Sequence, residues 1–489
     1  MVFISFLWRR LLSLLGTVLL LVLLLALFVV FRVAGNDQQD DQQLIASKKA
    51  YLSHLRSGLE STSGHPNILF ILYDDLGYGD IGAGAVGIAK TPNIDQLAAN
   101  GVVLSDFHSP APVCTPARAG FLTGRLPLRA GLPNVVFPTG SNEAMMFKDL
   151  LDPEGNSRLP TDEITLPEIL DAVGYRTGMV GKWHMGDRSP SLPNDFGFDS
   201  FYGALYSNDM DPFAFYRNTE VELEAPVDQR KMSEIYTKEV TTFIEAASDA
   251  PFFLYFAHNF PHDPLFVSEE RSGQSDAGLY GDVLEELDDG IGQIVASLVK
   301  TGQLENTLVI ITSDNGPWFL GDAGDQRGRK GSTFEGGMRV PFIAHWPREL
   351  TGGRVESAMA MGIDLVPTIL EVLNLPAPTD RLLDGKSMRE VLVNGATTAH
   401  DYLYHFDGET LFAVRDQRFK YRGDLGIHYA MDQMPVGGTV PRKEWLFDLS
   451  ADPRESYDAS DRYPQDLARL RLAFAAKQRE MEVNKRGWH

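Results

Sequence analysis

The chain has 489 residues, 44% of them hydrophobic and 22% charged, the composition of a globular protein with a sizeable core. Its 44 Lys+Arg stand against 66 Asp+Glu, for a net charge of −22. Nucleic acid and anionic lipid surfaces repel such a chain, so nucleic-acid binding is excluded. An anionic substrate can bind only where a metal ion or clustered Lys and Arg reverse the local field.

The first element is an uncharged run from Leu11 to Phe31, long enough to cross a bilayer as one helix. Arg9 and Arg10 precede it, which keeps residues 1–10 in the cytoplasm and sends the C-terminal bulk across. A cleaved signal peptide with Val33-Ala34-Gly35 as its site is the competing reading, and the length of the run favours an anchor over residues 11–32. There is one cysteine and no Asn-x-Ser/Thr sequon, a pattern that suits a bacterial periplasm. Residues 33–64 are polar and read as a stalk with one helix around Leu44 to Leu59.

Folded structure is expected from residue 65. Asn67 to Tyr73 is a continuous apolar run, as in a strand buried on both faces, and ends in Asp74-Asp75. A short helix follows from Ile94 to Ala99. Arg176 to Val180 ends in Gly181-Lys182-Trp183-His184. Pro251 to Ala257 leads to His258 and His262. Thr307 to Thr312 ends in Ser313-Asp314-Asn315-Gly316. Helical patterns lie between, at Ser233 to Ala247 and Tyr280 to Leu298. Strand and helix signals in alternation predict an α/β domain over residues 65–396, a large mostly parallel sheet with helices on both faces. After a boundary near Gly395 to Thr398, short alternating segments at Leu411–Arg415, Arg418–Arg422 and Trp445–Asp448 precede a helix from Pro464 to about Glu482. Residues 397–489 therefore read as a subdomain with a four-stranded antiparallel sheet and a helix.

Four buried strands that each end in polar residues imply one crevice, because open α/β sheets place their sites beyond the carboxyl ends of strands. Asp74, Asp75, Asp314 and Asn315 offer only oxygen, which suits calcium or magnesium rather than zinc; an aspartate pair after a strand can also be a simple turn cap. Lys182, Lys330 and Arg118 can hold an anion. His184 and His262 can move protons near neutral pH, although a lone loop histidine is more often structural. Cys114 cannot form an internal disulfide. It is either a buried filler or a reactive group, and the adjacent Arg118 favours a charged or polarised one. Together these groups describe hydrolysis of an anionic ester.

Cys114-Thr115-Pro116-Ala117-Arg118-Ala119-Gly120, with Leu122-Thr123-Gly124-Arg125 shortly after, resembles the type I sulfatase signature. Gly174 to His184 (GYRTGMVGKWH) resembles the second signature of that family. Asp74 to Asp80, Thr91 to Asp95 and Lys330 to Gly337 extend the resemblance from about Pro66 into the C-terminal subdomain, with arylsulfatases of the A type as the nearest likeness. The resemblance implies an alkaline-phosphatase-like fold and hydrolysis of a sulfate monoester. It implies that a maturation enzyme oxidises Cys114 to formylglycine (3-oxoalanine). It also implies that Asp74, Asp75, Cys114, Asp314 and Asn315 bind calcium, or magnesium. By the same resemblance Arg118 steadies the modified residue, Lys182 and Lys330 hold sulfate, His262 or Lys330 protonates the departing alcohol, and His184 is the base that releases sulfate. Ser207 matches a substrate-contacting serine, while Asn208 stands where the lysosomal pattern has histidine. A formylglycine phosphonate monoester or phosphodiester hydrolase is the alternative within the superfamily. A non-catalytic binder of sulfated glycans is the alternative outside catalysis, and the base His184 argues against it. The expected substrate is a small-molecule, glycan or lipid sulfate ester.

Overall fold

The computed structural model describes residues 8, 10, 13–21, 23–24, 38, 40–58, 62, 64–82, 87–152, 155–246, 250–397, 400–423 and 444–489. In chain order the strands are β1 (Asn67–Tyr73), β2 (Val102–Leu104), β3 (Phe107–His108), β4 (Arg176–Gly181), β5 (Ser200–Gly203), β6 (Phe215–Arg217), β7 (Glu220–Leu223) and β8 (Phe252–Ala257). They continue with β9 (Thr307–Ser313), β10 (Phe342–His345), β11 (Arg354–Glu356), β12 (Ala360–Met361), β13 (Leu403–Asp407), β14 (Thr410–Arg415), β15 (Phe419–Arg422) and β16 (Trp445–Asp448).

The main sheet has ten strands in the order β11-β2-β10-β9-β1-β8-β4-β5-β6-β7. Its centre, β9-β1-β8-β4-β5, is parallel throughout. The flanks are not. β10 runs antiparallel to β9 and β2, β6 to β5, and β7 to β6, while β11 runs parallel to β2, so the sheet is mixed around a parallel centre. The reason is local at one edge: only Asn218 and Thr219 join β6 to β7, and parallel neighbours need a crossover of a dozen residues or more.

β1 shows why an unbroken apolar run means two covered faces. Ile68, Phe70 and Leu72 enter one core with Phe121 and Leu122 of helix Cys114–Thr123 and Ile169 of helix Leu166–Ala172. Leu69, Ile71 and Tyr73 enter the other, with helices Pro92–Ala99, Met232–Glu245 and Gly278–Lys300. The register pairs Tyr73 with Ser313 and Leu72 with Ala257, so the carboxyl ends of β9, β1 and β8 lie level, and β4 joins them where Gly181 pairs with Ala257.

Strands β13-β14-β15-β16 form a separate antiparallel sheet. Helix Pro464–Val483 covers it with Leu470, Phe474 and Met481. The N-terminal segment differs from the expected stalk. Helix Gln42–Ser57, capped by the Asp41 side chain, docks on the main domain and buries Leu52 and Leu55 in the first core. Lys48, at the same helical spacing, is buried too and pairs with Glu168 at 2.5 Å while donating to the carbonyls of Thr161 and Glu163. Among the described residues no helix is long and apolar enough to cross a membrane. The expected span at 11–32 is helical at 13–21 and 23–24, and its other residues lie outside the described ones.

Candidate active site

The level strand ends gather the expected residues. Asp74 and Asp75 follow β1, Lys182 and His184 follow β4, the loop to His262 follows β8, and Asp314 and Asn315 follow β9. Cys114 arrives differently, as the first residue of helix Cys114–Thr123 rather than at a strand end. Its Sγ lies 3.2 Å from Asp74 Oδ1, and Asp74, Asp75, Cys114 and His262 each bring a ligand atom within 4.8 Å of the others.

Three cations and three carboxylates interlock here. Arg118 donates through Nε and Nη2 to Asp314 Oδ2 at 3.0 and 2.8 Å, and through Nη1 to the Lys182 carbonyl at 2.7 Å. It is fully buried and reaches Asp74 at 3.7 Å. Lys182 Nζ pairs with Asp74 and donates to Ser207 Oγ at 3.2 Å. Lys330 Nζ sits 2.8 Å from Asp75 Oδ1. Lys330 and His262 are the groups that open to solvent, with 13% and 12% of their side chains exposed.

These contacts set the charges. Burial alone would raise Asp74, but Lys182, His262, Arg118 and Lys330 outweigh it and hold the carboxyl well below its usual range. Asp314 goes the other way: burial and Asp74 push it up to about 7 against the pull of Arg118 and Lys182. Burial, then Asp74, pushes the Cys114 thiol well up. The expectation that Arg118 polarises this sulfur is therefore corrected. Its guanidinium is committed to Asp314, and the unmodified thiol stays protonated, a poor nucleophile.

The two histidines are held by carbonyls. His184 Nε2 lies 3.1 Å from the Val136 carbonyl, which fixes the proton there and leaves Nδ1 as a buried acceptor with no partner. Burial, Lys182 and Arg118 lower its pKa well below the usual imidazole value. His262 Nδ1 lies 2.5 Å from the Asp263 carbonyl, with Nε2 3.9 Å from Asp75. Burial, then Lys330, lowers it as well. Asp75 and His184 both adopt left-handed backbone, at φ 67° and 61°. Residues other than glycine are uncommon in this conformation, and both of these are crevice groups.

Asn208 is not a crevice group: it donates to Gln229 at 3.0 Å and to the Pro264 carbonyl at 2.9 Å, pinning the His262 loop. The carbonyl of Val136, which orients His184, has no sequence signal at all. Glu335, within Lys330–Gly337, serves the fold: its carboxylate accepts from Lys420 and Arg415 of the C-terminal sheet.

The donor set fits a hard cation. Asn315 donates through Nδ2 to Asp75 at 2.7 Å, and its Oδ1 is buried with no partner beside the carboxylates. An oxygen left bare among anions is explained if a divalent cation sits there.

Comparisons with known proteins agree with this geometry. The sulfatase family model matches residues 66–375, and the model for the N-sulphoglucosamine sulphohydrolase C-terminal region matches 329–476. Mouse N-acetylgalactosamine-6-sulfatase is 32% identical, covering 85% of this chain and 86% of its own. Bovine arylsulfatase A is 34% identical, covering 83% and 85%. Among solved structures, the PsFucS1 sulfatase from Pseudoalteromonas sp. superposes with a TM-score of 0.75 at 27% identity, covering 90% of this chain and 95% of its own. Ps i-CgsB, solved in complex with k-i-k-neocarrahexaose, gives 0.71 at 28%, covering 86% and 92%. A phosphonate monoester hydrolase of Agrobacterium radiobacter, at 19% identity and 0.59 and covering 86% and 96%, shares the alkaline-phosphatase-like fold alone. The chain belongs to the sulfatase family and is an enzyme that hydrolyses sulfate esters.

Proposed function

We propose that this sulfatase cleaves a sulfate monoester with residue 114 as nucleophile after its oxidation to formylglycine, with a calcium ion held by Asp74, Asp75, Asp314 and Asn315. The observation that carries the reading is Cys114 Sγ at 3.2 Å from Asp74, inside a ring of oxygen donors and lysines, as a thiol too high in pKa to act unmodified. The modified residue supplies a nucleophile that can also release what it has bound, and the cation supplies positive charge at the sulfate oxygens.

The chain's own groups do the rest. Lys182 and Lys330 present ammonium donors to the non-bridging oxygens. Arg118 holds Asp314 in place and pulls its carboxyl back toward the charged form, against burial and the charge of Asp74. Lys330 is held charged by Asp75, against its burial, so it carries a proton to offer the departing alcohol. His262 is held neutral and pairs with Asp75's side of the crevice. His184, neutral with Nδ1 free, accepts the proton whose removal releases sulfate. Ser207 Oγ accepts a second hydrogen bond from Lys182 and helps to hold its ammonium in place.

The relatives' names, an acetylgalactosamine-6-sulfatase and a protein solved with a neocarrahexaose, support a sulfated sugar as the substrate class. The apolar run at Leu11 to Phe31 supports an anchored enzyme with its catalytic domain on the periplasmic side, which protease protection of membrane vesicles tests. The central test is mass spectrometry of the peptide containing residue 114 from protein made with a formylglycine-generating enzyme, beside turnover of 4-nitrophenyl sulfate. Hydrolysis by protein that retains the thiol would refute the proposed nucleophile.

A further inference from the structure

Three segments border the crevice, and each ends in exposed aromatic surface. Val136, whose carbonyl holds His184 and whose N–H donates to Thr115 beside Cys114, is followed by Phe137. Thr139 then staples this segment to Asp187 at 2.7 and 2.6 Å. Phe137 stacks on Phe147 at 5.4 Å, and Phe147 remains 45% exposed. Four residues beyond His262 lies Phe266, 36% exposed. Four residues beyond Asn315 lies Phe319, 59% exposed and edge-on to Trp318 at 4.8 Å. Four residues reach at most about 14 Å, so both rings stay close to the groups that precede them. The Trp318 turn is fixed beside the sulfate lysine: Lys330 N–H donates to the Pro317 carbonyl at 3.0 Å and Arg329 to the Trp318 carbonyl at 2.7 Å.

Charge on these segments points the same way. Residues 136–148, 263–266 and 317–322 carry Glu143, Asp263 and Asp322 against a single cation, Lys148. A polyanionic chain laid across them would meet apolar and acidic surface, whereas exposed aromatic patches around a polar centre are the usual signature of ligand contact. We propose that the three segments form the rim that grips the alcohol half of the substrate, and that this alcohol is uncharged with a flat apolar face, a sugar or aryl ring, rather than a link in a multiply charged chain. The inference rests on the sulfate-ester reading above and narrows it to substrates whose single charge is the group being removed.

The test uses matured full-length enzyme, with Phe319→Ala, Phe147→Ala and the double variant. All three change exposed side chains, and their melting temperatures check the fold. For 4-nitrophenyl sulfate and N-acetylgalactosamine 6-sulfate, each single variant should raise KM about three- to tenfold with kcat nearly unchanged, the effect of losing one aromatic contact. The Ki of inorganic sulfate, which has no alcohol half, should not move. The ring whose KM moves more is the one the rim fits. Unchanged KM for both rings would overturn the proposal. So would a sulfate Ki that rises in step, or faster turnover of a disulfated, uronate-containing disaccharide than of the neutral sugar. If the matured enzyme turns over no sulfate ester, the catalytic reading has failed. Calorimetry of 4-nitrophenyl sulfate on Cys114→Ser protein then still reads the rim: weaker binding on adding Phe319→Ala supports it, and equal binding rejects it.

Discussion

The catalytic crevice and the joint between the main domain and the C-terminal sheet are built from the same inventory. The crevice holds Asp74, Asp75 and Asp314 against Arg118, Lys182 and Lys330. The joint holds Asp106, Glu335 and Glu455 against Arg415 and Lys420, with Arg422 acting on Glu455 and with His108 and His405 tilted against each other at 5.1 Å. In the joint a guanidinium occupies the centre. Arg415 donates to both oxygens of Asp106, to Glu335 and to His108, and holds Glu335 well below its usual range together with Lys420, against its burial. Its paired side chains are at most 8% exposed, although both ring nitrogens of His405 lack a hydrogen-bond partner. In the crevice Arg118 and Lys182 are buried as deeply, but Lys330 and His262 keep 13% and 12% of their side chains exposed, Asp314 is pushed up to about 7, and Asn315 Oδ1 has no partner. Matched buried charge that is closed off fixes two layers together, while the same charge left ajar at strand ends awaits a ligand.

That contrast can be forced apart by substitution. Cys114→Ser should remove multiple turnover by about a thousandfold or more, with the melting temperature little changed, since the residue makes one polar contact; stopped-flow and steady-state assays separate a first turnover from later ones. Asp75→Asn should cost on the order of a hundredfold in kcat. Calcium should raise the melting temperature of the wild type and not of this variant, and equal shifts in both would remove Asp75 from the metal site. Arg415→Met should do the reverse, destabilising by about 3–5 kcal/mol in denaturant titration because it leaves Asp106 and Glu335 buried without their partner. The properly folded fraction should retain its KM.

The smallest effect is in pH. Burial holds His258 down to about 3, against the pull of Asp74, and its Nδ1 accepts the Phe260 N–H. An unfolded imidazole titrates near 6.5, so between about 3 and 6.5 the unfolded chain binds a proton that the folded chain refuses. Stability is therefore present above that window and is lost as pH falls through it. His108 and His405 are lowered in the same direction by burial. Melting temperature should drop from pH 7.5 to 5, and His258→Gln should make the slope shallower; a flat profile would contradict buried neutral imidazoles.

The four central strands could be read directly because each is a run of side chains buried on both faces, which leaves no polar residue to hide the pattern. Their polar ends could be read for the same reason. The sheet's flanks could not: β10 is only four residues, too few for its direction or its neighbours to show in the pattern. The docked N-terminal helix looked like a stalk because one of its three buried anchors is Lys48, polar in the sequence and neutralised only by the distant Glu168. In the crevice the side chains were recognisable by type and spacing, but the Val136 carbonyl that sets the tautomer of His184 could have come from any residue. The charge of Cys114 depends on where Arg118 directs its hydrogen bonds, and spacing alone put that guanidinium beside the sulfur.

The left-handed turns at Asp75 and His184 set a limit on improving this enzyme. Each costs roughly 1–2 kcal/mol relative to glycine. Glycine would relieve that strain, but Asp75→Gly would strand Lys330 and Asn315 without their partner and His184→Gly would empty a buried site, so the strain stays where the side chains that cause it are in use.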